Sequence, residues 1–350
     1  MGRKIDWKNQ IGRRLKLRDL HVFLTVVQRG SMGKAAAQLG VSQAAVSEIV
    51  ATLEHAVGIR LLDRTPHGVE LTKYGRALHR RSLAAFDELK RGIEEIEFLA
   101  DPTVGEVRIG CAESTAFALL PDLIQHFLHE HPRVVPHIKP LVTPTLELSA
   151  LRDRSLDFVI ARLMQPACED DDINIEVLFE DHLVIAAGQQ SHWASRHRVD
   201  LAELADEPWI LAPPDTWNSS ILAEAFRMRG LEMPRPHVVT FSVPLRAKLL
   251  ATGPYITAFA RSVMRLSADQ LSVKVLPLDL SVRPWPVAIV TLKNRTLSPV
   301  ALLFIDRLRA FMQALDGTGP VKDQLEAAQA PFDERMRTRR PARVASHHVR

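Results

Sequence analysis

SMGKAAAQLGVSQAAVSEIVATLEHAVG, residues Ser31–Gly58, decides the reading of this chain. The stretch predicts two short helices joined by a tight turn. Ala36 is small enough for the helices to approach closely, and Gly40 supplies the left-handed backbone that ends the first helix at little steric cost. Ser42 offers an N-cap oxygen to the second helix. On that helix Val46, Ile49, Val50, Leu53 and Val57 recur at spacings of three and four and form a stripe to be buried. Ser42, Gln43, Ala44, Ser47 and Glu48 fall on the opposite face near its N-terminus. In a helix-turn-helix that end meets the base edges of the DNA major groove. The plainer alternative is an ordinary helical hairpin inside some other all-helical domain.

The flanks extend the motif. Leu17, Leu20, Phe23, Leu24 and Val27 mark an amphipathic helix ended by Gly30, the third helix of a compact DNA-binding unit. Residues Gly58–Thr72 predict two short strands around Pro66-His67-Gly68, a wing able to lie along the DNA backbone. Thr72 then caps a helix that runs to about Leu99. Along it Leu78, Ser82, Ala85, Leu89, Gly92, Ile96 and Leu99 keep an unbroken heptad seam. The first domain is too small to cover three heptads, which favours a dimer-forming linker over a helix packed on its own domain. Asp101-Pro102 ends it, since the residue before a proline disfavours helical backbone.

The whole chain bounds the reading. Its 350 residues exceed one typical core. No apolar run approaches the roughly 20 residues needed to span a bilayer. The charged start, Met-Gly-Arg-Lys-Ile-Asp-Trp-Lys, is unlike a secretory signal. Cys111 and Cys168 lie far apart without a Cys-x-x-Cys, which favours a reducing cytoplasm and argues against a disulfide framework or thiolate zinc site. The overall charge of +4 hides an asymmetry. Residues 1–81 hold 15 basic and 6 acidic side chains, residues 105–318 hold 21 and 25, and the tail from 319 holds 7 and 4. Positive charge concentrated around the helix-turn-helix is the footprint of phosphate binding.

Beyond residue 105 strands and helices alternate. Val107–Cys111, Val134–Leu141 and Asp157–Arg162 predict strands, with helices through about His129 and near 145–153. That βαβαβ order predicts a parallel sheet with helices on its faces. Leu183–Ala187, Trp209–Ala212, Val238–Phe241 and Tyr255–Phe259 repeat the theme, with helices near 219–229 and 243–252. A strand follows Pro284-Trp285-Pro286, and 299–315 is a closing helix. Two such lobes joined by crossover strands leave a cleft, and ligands of open α/β sheets bind at the carboxyl ends of strands.

With these residues in hand the chain resembles the LysR-type transcriptional regulators over about residues 17–315. The match is carried by Phe23-Leu24, Gly30-Ser31, Ala35-Ala36, Leu39, Ser42-Gln43, Val46-Ser47, Leu53-Glu54, Gly58, Leu61-Leu62, Arg64, Leu71-Thr72 and Gly75. Gly105–Gly110, Leu120-Pro121, Leu156-Asp157 and Leu201 to Pro208-Trp209 fit the second half less tightly. The resemblance implies a periplasmic-binding-protein-like effector domain of two α/β lobes, a small inducer between them, and dimers pairing into tetramers on split operators. No P-loop, zincin, nucleophile-elbow or dinucleotide motif appears, so no catalysis, cofactor or metal is expected, and RNA polymerase is a further partner to consider. The chain accordingly divides into a basic arm at 1–16, a winged helix-turn-helix at 17–75 and a linker helix at 72–100. An effector-binding domain at 105–316 and a basic tail at 317–350, expected to be disordered, complete it.

Ser42, Gln43, Ala44 and Ser47 are the expected groove contacts. Glutamine can pair with adenine in a bidentate way, and alanine can touch a thymine methyl. Arg64 and Lys73 are expected at phosphates, the lesser alternative for Lys73 being only to solvate the start of the linker helix. Glu48 stands where the family often has a basic residue; it either accepts from cytosine N4 or faces solvent. His67 stands where the family often has arginine, which makes that phosphate contact weaker or pH-dependent.

In the effector domain Ser114, Thr115, Thr143, Thr145, Arg162, Trp217 and Ser242 occupy the strand ends that line the family's cleft. Hydroxyls and free backbone N–H groups there suit a carboxylate. Taken singly, each hydroxyl also reads as a helix cap. Glu113 with Trp217 stacking would instead suit a sugar, so both ligand classes stay open. His126, His129 and His131 lack the carboxylates of a metal site and read as helix-surface residues. Cys111 lies in an apolar strand, where a thiol is usually inert. A solute-binding protein and a two-lobed enzyme are the rival functions. The winged motif opposes the first, and the lack of a catalytic constellation opposes the second.

Overall fold

The computed structural model describes residues 15–66, 68–141, 144–163, 171–214 and 216–316. His67, Thr143, Cys168 and the tail from 317 lie outside the described residues, as do residues 1–14 of the arm and the side chain of Thr145.

Three helices, α1 (Leu17–Arg29), α2 (Met32–Leu39) and α3 (Gln43–Val57), form the first unit. Gly40 sits at φ 66°, left-handed backbone that glycine adopts without a Cβ penalty, and ends α2. The Ser42 hydroxyl accepts from Ala45 N at 3.1 Å and caps α3. Phe23, Val26, Ala35, Ala36, Val46, Val50 and Leu53 are buried together, so the stripe on α3 faces the other two helices. Strands β1 (Leu62–Thr65) and β2 (Gly68–Leu71) pair antiparallel as the wing. The Glu54 carboxylate pins the wing by accepting from Leu61 N at 2.7 Å and Leu62 N at 3.1 Å.

Helix α4 (Lys73–Ala100) is capped by Thr72, whose hydroxyl accepts from Gly75 N at 2.9 Å. A Cβ on Gly75 would lie 2.0 Å from the Leu61 carbonyl oxygen, so only glycine allows this approach of α4 to the wing. The heptad seam is divided. Leu78 packs on the helix-turn-helix core and Ser82 is buried, because α1 crosses the start of α4. Leu89, Gly92, Ile93, Ile96 and Leu99 are exposed, Ile96 at 68% and Leu99 at 75%. The free apolar stripe is therefore the second half of the expected seam, with Ile93 added.

The remaining chain forms two lobes. β3 (Val104–Cys111), α5 (Glu113–Glu130), β4 (Arg133–Pro140), α6 (Pro144–Arg152) and β5 (Phe158–Arg162) build the first, and β6 (Ile173–Asp181) crosses to the second. There follow β7 (Leu183–Gly188), β8 (Trp209–Leu211), α7 (Trp217–Met228), β9 (Pro236–Val239), α8 (Val243–Thr252), β10 (Ile256–Ala260), α9 (Arg261–Leu271) and β11 (Val273–Val275). β12 (Trp285–Leu292) returns to the first lobe, and α10 (Pro299–Asp316) closes it. The sheets run β4-β3-β5-β12-β6 and β11-β7-β10-β8-β9.

β3, β4 and β5 are parallel as expected and β6 runs the same way, but β12 lies between β5 and β6 antiparallel to both, so the sheet is mixed. The crossovers explain this, since a chain that leaves a lobe and returns re-enters its sheet from the opposite end. The second lobe is mixed in the same way, with β7 antiparallel to β10 and β11. One continuous apolar core runs through both lobes, and α9 of the second packs on α5 of the first. Cys111 is buried at the end of β3. Among the described residues no helix is long and apolar enough to cross a membrane.

The linker is fastened to the first lobe by a buried ion network. Asp87 on α4 receives a two-pronged hydrogen bond from Arg295, Nε at 2.9 Å and Nη2 at 3.1 Å, and a further bond from Arg154. Arg91 donates to Asp157 at 2.5 Å and to Glu94 at 2.6 Å. Asp157 also accepts from Arg108 N at 2.8 Å and contacts Arg295 at 3.3 Å. Three carboxylates thus meet three guanidinium groups, and the charges cancel. Burial pushes the Asp87 carboxyl up. The hydrogen bonds and charge of Arg295, with Arg154 and Arg91, outweigh that and hold it below the usual carboxylate range.

Candidate functional site

Two places gather the chemically interesting residues. The first is the N-terminal half of α3. Ser42, Gln43, Ala44 and Glu48 are exposed there, side by side, as the capped start of a helix presents them. The Gln43 carboxamide rests against Gly33, its oxygen 3.3 Å from where a Cβ on that glycine would stand. Ser47 is half-buried, and its hydroxyl accepts from Arg64 Nη2 at 2.8 Å. Arg64 therefore belongs to both the wing and the helix, a coupling invisible in their separation of 17 residues. Lys73 is exposed at the start of α4, with its ammonium 4.9 Å from the Tyr74 ring centroid.

The second place is the cleft between the lobes. Ser114 opens α5, Arg162 ends β5 and Trp217 opens α7, and the fold brings these three together. Arg162 donates to the Ser114 hydroxyl and, at 3.3 Å, to the Asn218 side-chain oxygen. Its guanidinium carbon lies 5.7 Å from the Trp217 ring centroid and 6.0 Å from that of Trp285. The two indoles meet edge to face at 4.2 Å. Arginine of one lobe thus reaches side chains of the other, and a shift of either lobe changes its bonding.

The other expected cleft residues are placed differently. Thr115 is buried one position past Ser114 and lines a separate pocket of about 270 Å³, with Phe179, Asp181, Ser262, Leu266 and Met312. A single residue step on a helix rotates the side chain by about 100°, which carries Thr115 away from the cleft. Ser242 is half-buried and caps α8, its hydroxyl accepting from Leu245 N at 3.5 Å. Glu113 is exposed at the start of α5.

Sequence reasoning passed over Asn218, Trp285 and Arg246. Arg246 had a readable signal, because it shares the apolar face of α8 with Val243, Ala247 and Leu250, where a charge is out of place. It is 4% exposed and donates to the Ala258 carbonyl at 2.8 Å and the Phe241 carbonyl at 3.3 Å. Its guanidinium also lies 4.5 Å from the Phe259 ring centroid. Burial pulls Arg246 down; Glu113 opposes this and Arg162 adds to it, and the result is about 10. The group remains a cation at neutral pH. Trp285 had no distinctive signal beyond its two flanking prolines.

Comparison with known proteins places both regions. Residues 17–76 match the family model described as a bacterial regulatory helix-turn-helix protein of the lysR family. Residues 100–313 match the LysR substrate binding domain. The regulator GbpR of Azospirillum brasilense is 28% identical over 305 residues, 85% of this chain and 86% of its own length. The regulator TdcA of Escherichia coli is 29% identical over 242 residues, 69% of this chain and 76% of its own. A full-length OxyR variant from Pseudomonas aeruginosa superposes with a TM-score of 0.60 at 19% identity, over 84% of this chain and 95% of that one, which shows the shared fold.

Proposed function

We propose, from the premise that this chain belongs to the LysR family of DNA-binding transcriptional regulators, that α3 reads its operator and that a small molecule in the interlobe cleft modulates the binding. The observation that carries the first part is the exposed, capped start of α3 beside an arginine-bearing wing. Gln43 and Ala44 are the base readers, Glu48 a candidate for cytosine, and Arg64 and Lys73 hold phosphates. Ser47 positions Arg64 through the 2.8 Å hydrogen bond and shares the groove face.

The cleft reading rests on Arg162 spanning from Ser114 to Asn218 between two indoles. A ligand there competes for those hydrogen bonds and so favours one lobe arrangement over another, which is what a population shift requires. Ser114, Arg162 and Trp217 are its proposed contacts, with Asn218 added. Ser242 stays as a further candidate, as do Thr143 and Thr145 from the sequence alone, and Thr115 faces elsewhere. A carboxylate would pair with Arg162, and a sugar would stack on Trp217 with Glu113 at its hydroxyls. The exposed stripe Leu89, Ile93, Ile96 and Leu99 is the proposed dimer seam. The cytoplasm, where the operator DNA lies, is the proposed compartment.

A nuclease footprint of the full-length protein over a salt series tests this, first on DNA upstream of its own gene and then on a genomic fragment pool. A long, two-part protected region that weakens steeply with salt is expected. Absence of protection on the pool at low salt, by folded protein, overturns the operator reading.

A further inference from the structure

We infer that the ligand of the cleft is a small organic anion whose negative group seats against Arg246, and that Arg246 selects for charge at this site. The inference rests on the cleft being the effector site and narrows its ligand from two classes to one. It starts from an imbalance. Arg246 is 4% exposed, yet among the described residues no carboxylate stands within ion-pair distance of it. Two backbone carbonyls take donors from Nη1 and Nη2, and Nε has no acceptor. A guanidinium has five N–H donors and a full charge, and carbonyl dipoles answer only part of that.

The surroundings say where the missing charge would sit. Arg246 lines a small cavity with Asn218, Ser219 and Thr257, and its free volume of about 10 Å³ admits one water-sized group. Asn218 and Ser219 belong to the first turn of α7, whose N-terminus carries partial positive charge. Asn218 is also the partner of Arg162, and Arg162 repels Arg246 electrostatically. Arg246 and the N-terminus of α7 therefore converge on this cavity, and among the described residues the exposed Glu113 is the carboxylate whose charge acts on Arg246. An anionic group placed there answers Arg246 and removes a repulsion that opposes approach of the lobes. A neutral sugar would leave the buried charge as it is.

The test uses the full-length protein. Benzoate and acetate are titrated at constant ionic strength, with benzamide and acetamide as uncharged counterparts. Thermal unfolding and indole fluorescence are followed, and a Trp217→Phe variant identifies the optical signal. The acids are expected to raise the unfolding midpoint and move the Trp217 emission, while the amides do neither. Arg246→Met should raise the apparent Kd of the acids by at least about 30-fold. Arg246→Gln, which keeps an amide donor for the Ala258 carbonyl, should lose as much and serves if the methionine variant does not fold. Failure of both acids to bind the wild type, or equal affinity in the neutral variants, overturns the charge assignment. Amides that bind as well as acids and move Trp217 emission remove the charge assignment and leave the cleft as the ligand site. Binding that leaves Trp217 emission unmoved places the molecule elsewhere and removes the cleft reading as well.

Discussion

Two sets of buried arginines lie in this molecule in opposite conditions. Arg91 and Arg295, at the junction of α4 with the first lobe, are matched by Asp87, Asp157 and Glu94 within the same chain. Among the described residues Arg246 in the second lobe bonds two carbonyls and faces a ring, with the Glu113 charge acting on it but no ion pair. Taking a guanidinium out of water costs several kcal/mol unless a counter-charge is in place. The junction meets that cost internally and is complete as it stands. Among the described residues Arg246 has no ion-pair partner of this kind, and on the reading proposed above a ligand supplies it. On that reading the same residue type marks a structural joint in one place and a ligand contact in the other, and the counter-ion tells them apart.

The largest expected effect comes from breaking the completed set. Asp157→Ala removes the acceptor shared by Arg91, Arg295 and the Arg108 amide, leaving two buried guanidinium groups short of charge. The expected loss is about 3–5 kcal/mol of unfolding free energy, read by denaturant titration. A loss below about 1 kcal/mol would mean the junction is wetter and looser than its burial implies.

Acid attacks the same joint more gently. The folded-state value of Asp87 lies below its unfolded value, so its contribution is complete above the ordinary carboxylate range and is lost as pH falls through the folded value. Stability should hold from neutral pH down to about 4 and fall below that. The Asp87→Asn variant should begin less stable and show a shallower fall. Identical acid limbs for the two proteins would remove Asp87 from the account.

The recognition face offers an incomplete surface of a different kind. Gln43 is exposed and makes no bond that the fold depends on. Gln43→Ala should leave unfolding within about 0.5 kcal/mol of the wild type. It should cost about 1–3 kcal/mol of discrimination between operator and random DNA, measured by competition binding. Equal weakening on both DNAs would assign Gln43 to the backbone rather than to a base.

How much of this was legible depended on distance along the chain. The helix-turn-helix was readable because its determinants are local: Gly40 ends one helix, Ser42 caps the next, and a stripe of spacing three and four faces inward. The two lobes were readable from alternation, but their mixed sheets were not. The antiparallel place of β12 depends on pairing with β6, more than a hundred residues earlier. The structure brings Ser114, Arg162 and Trp217 together as strand-end reasoning expects, while Thr115 lines a different pocket because that reasoning ignores the turn of a helix. Asp87 and Arg91 are a readable pair four apart on α4, but their union with Asp157 and Arg295 gave no sign, since charges 66 to 208 residues apart carry no periodicity to read. Arg246 did carry a sign, a cation on the buried face of an amphipathic helix, and that kind of misfit is worth searching for directly.

Among the buried arginines the smallest stability effect is expected where the charge is unanswered. Arg246→Met, measured without added anion, removes a buried cation together with two donors to carbonyl oxygens and the contact with Phe259. Loss of the desolvated charge favours folding, while the two orphaned carbonyls and the lost ring contact oppose it. These terms are of similar size and opposite sign, so the net change should stay within about 1 kcal/mol. Arg295→Met, with a comparable loss of side-chain volume, strands Asp87 and Asp157 and should cost about 3–5 kcal/mol. The contrast between the two variants, read in one denaturant series, is the direct measure of whether each arginine already has its partner. Equal losses would mean that Arg246 is held by its carbonyls as firmly as Arg295 is by its carboxylates, and the cleft arginine would then be a structural tie rather than a place kept for an anion.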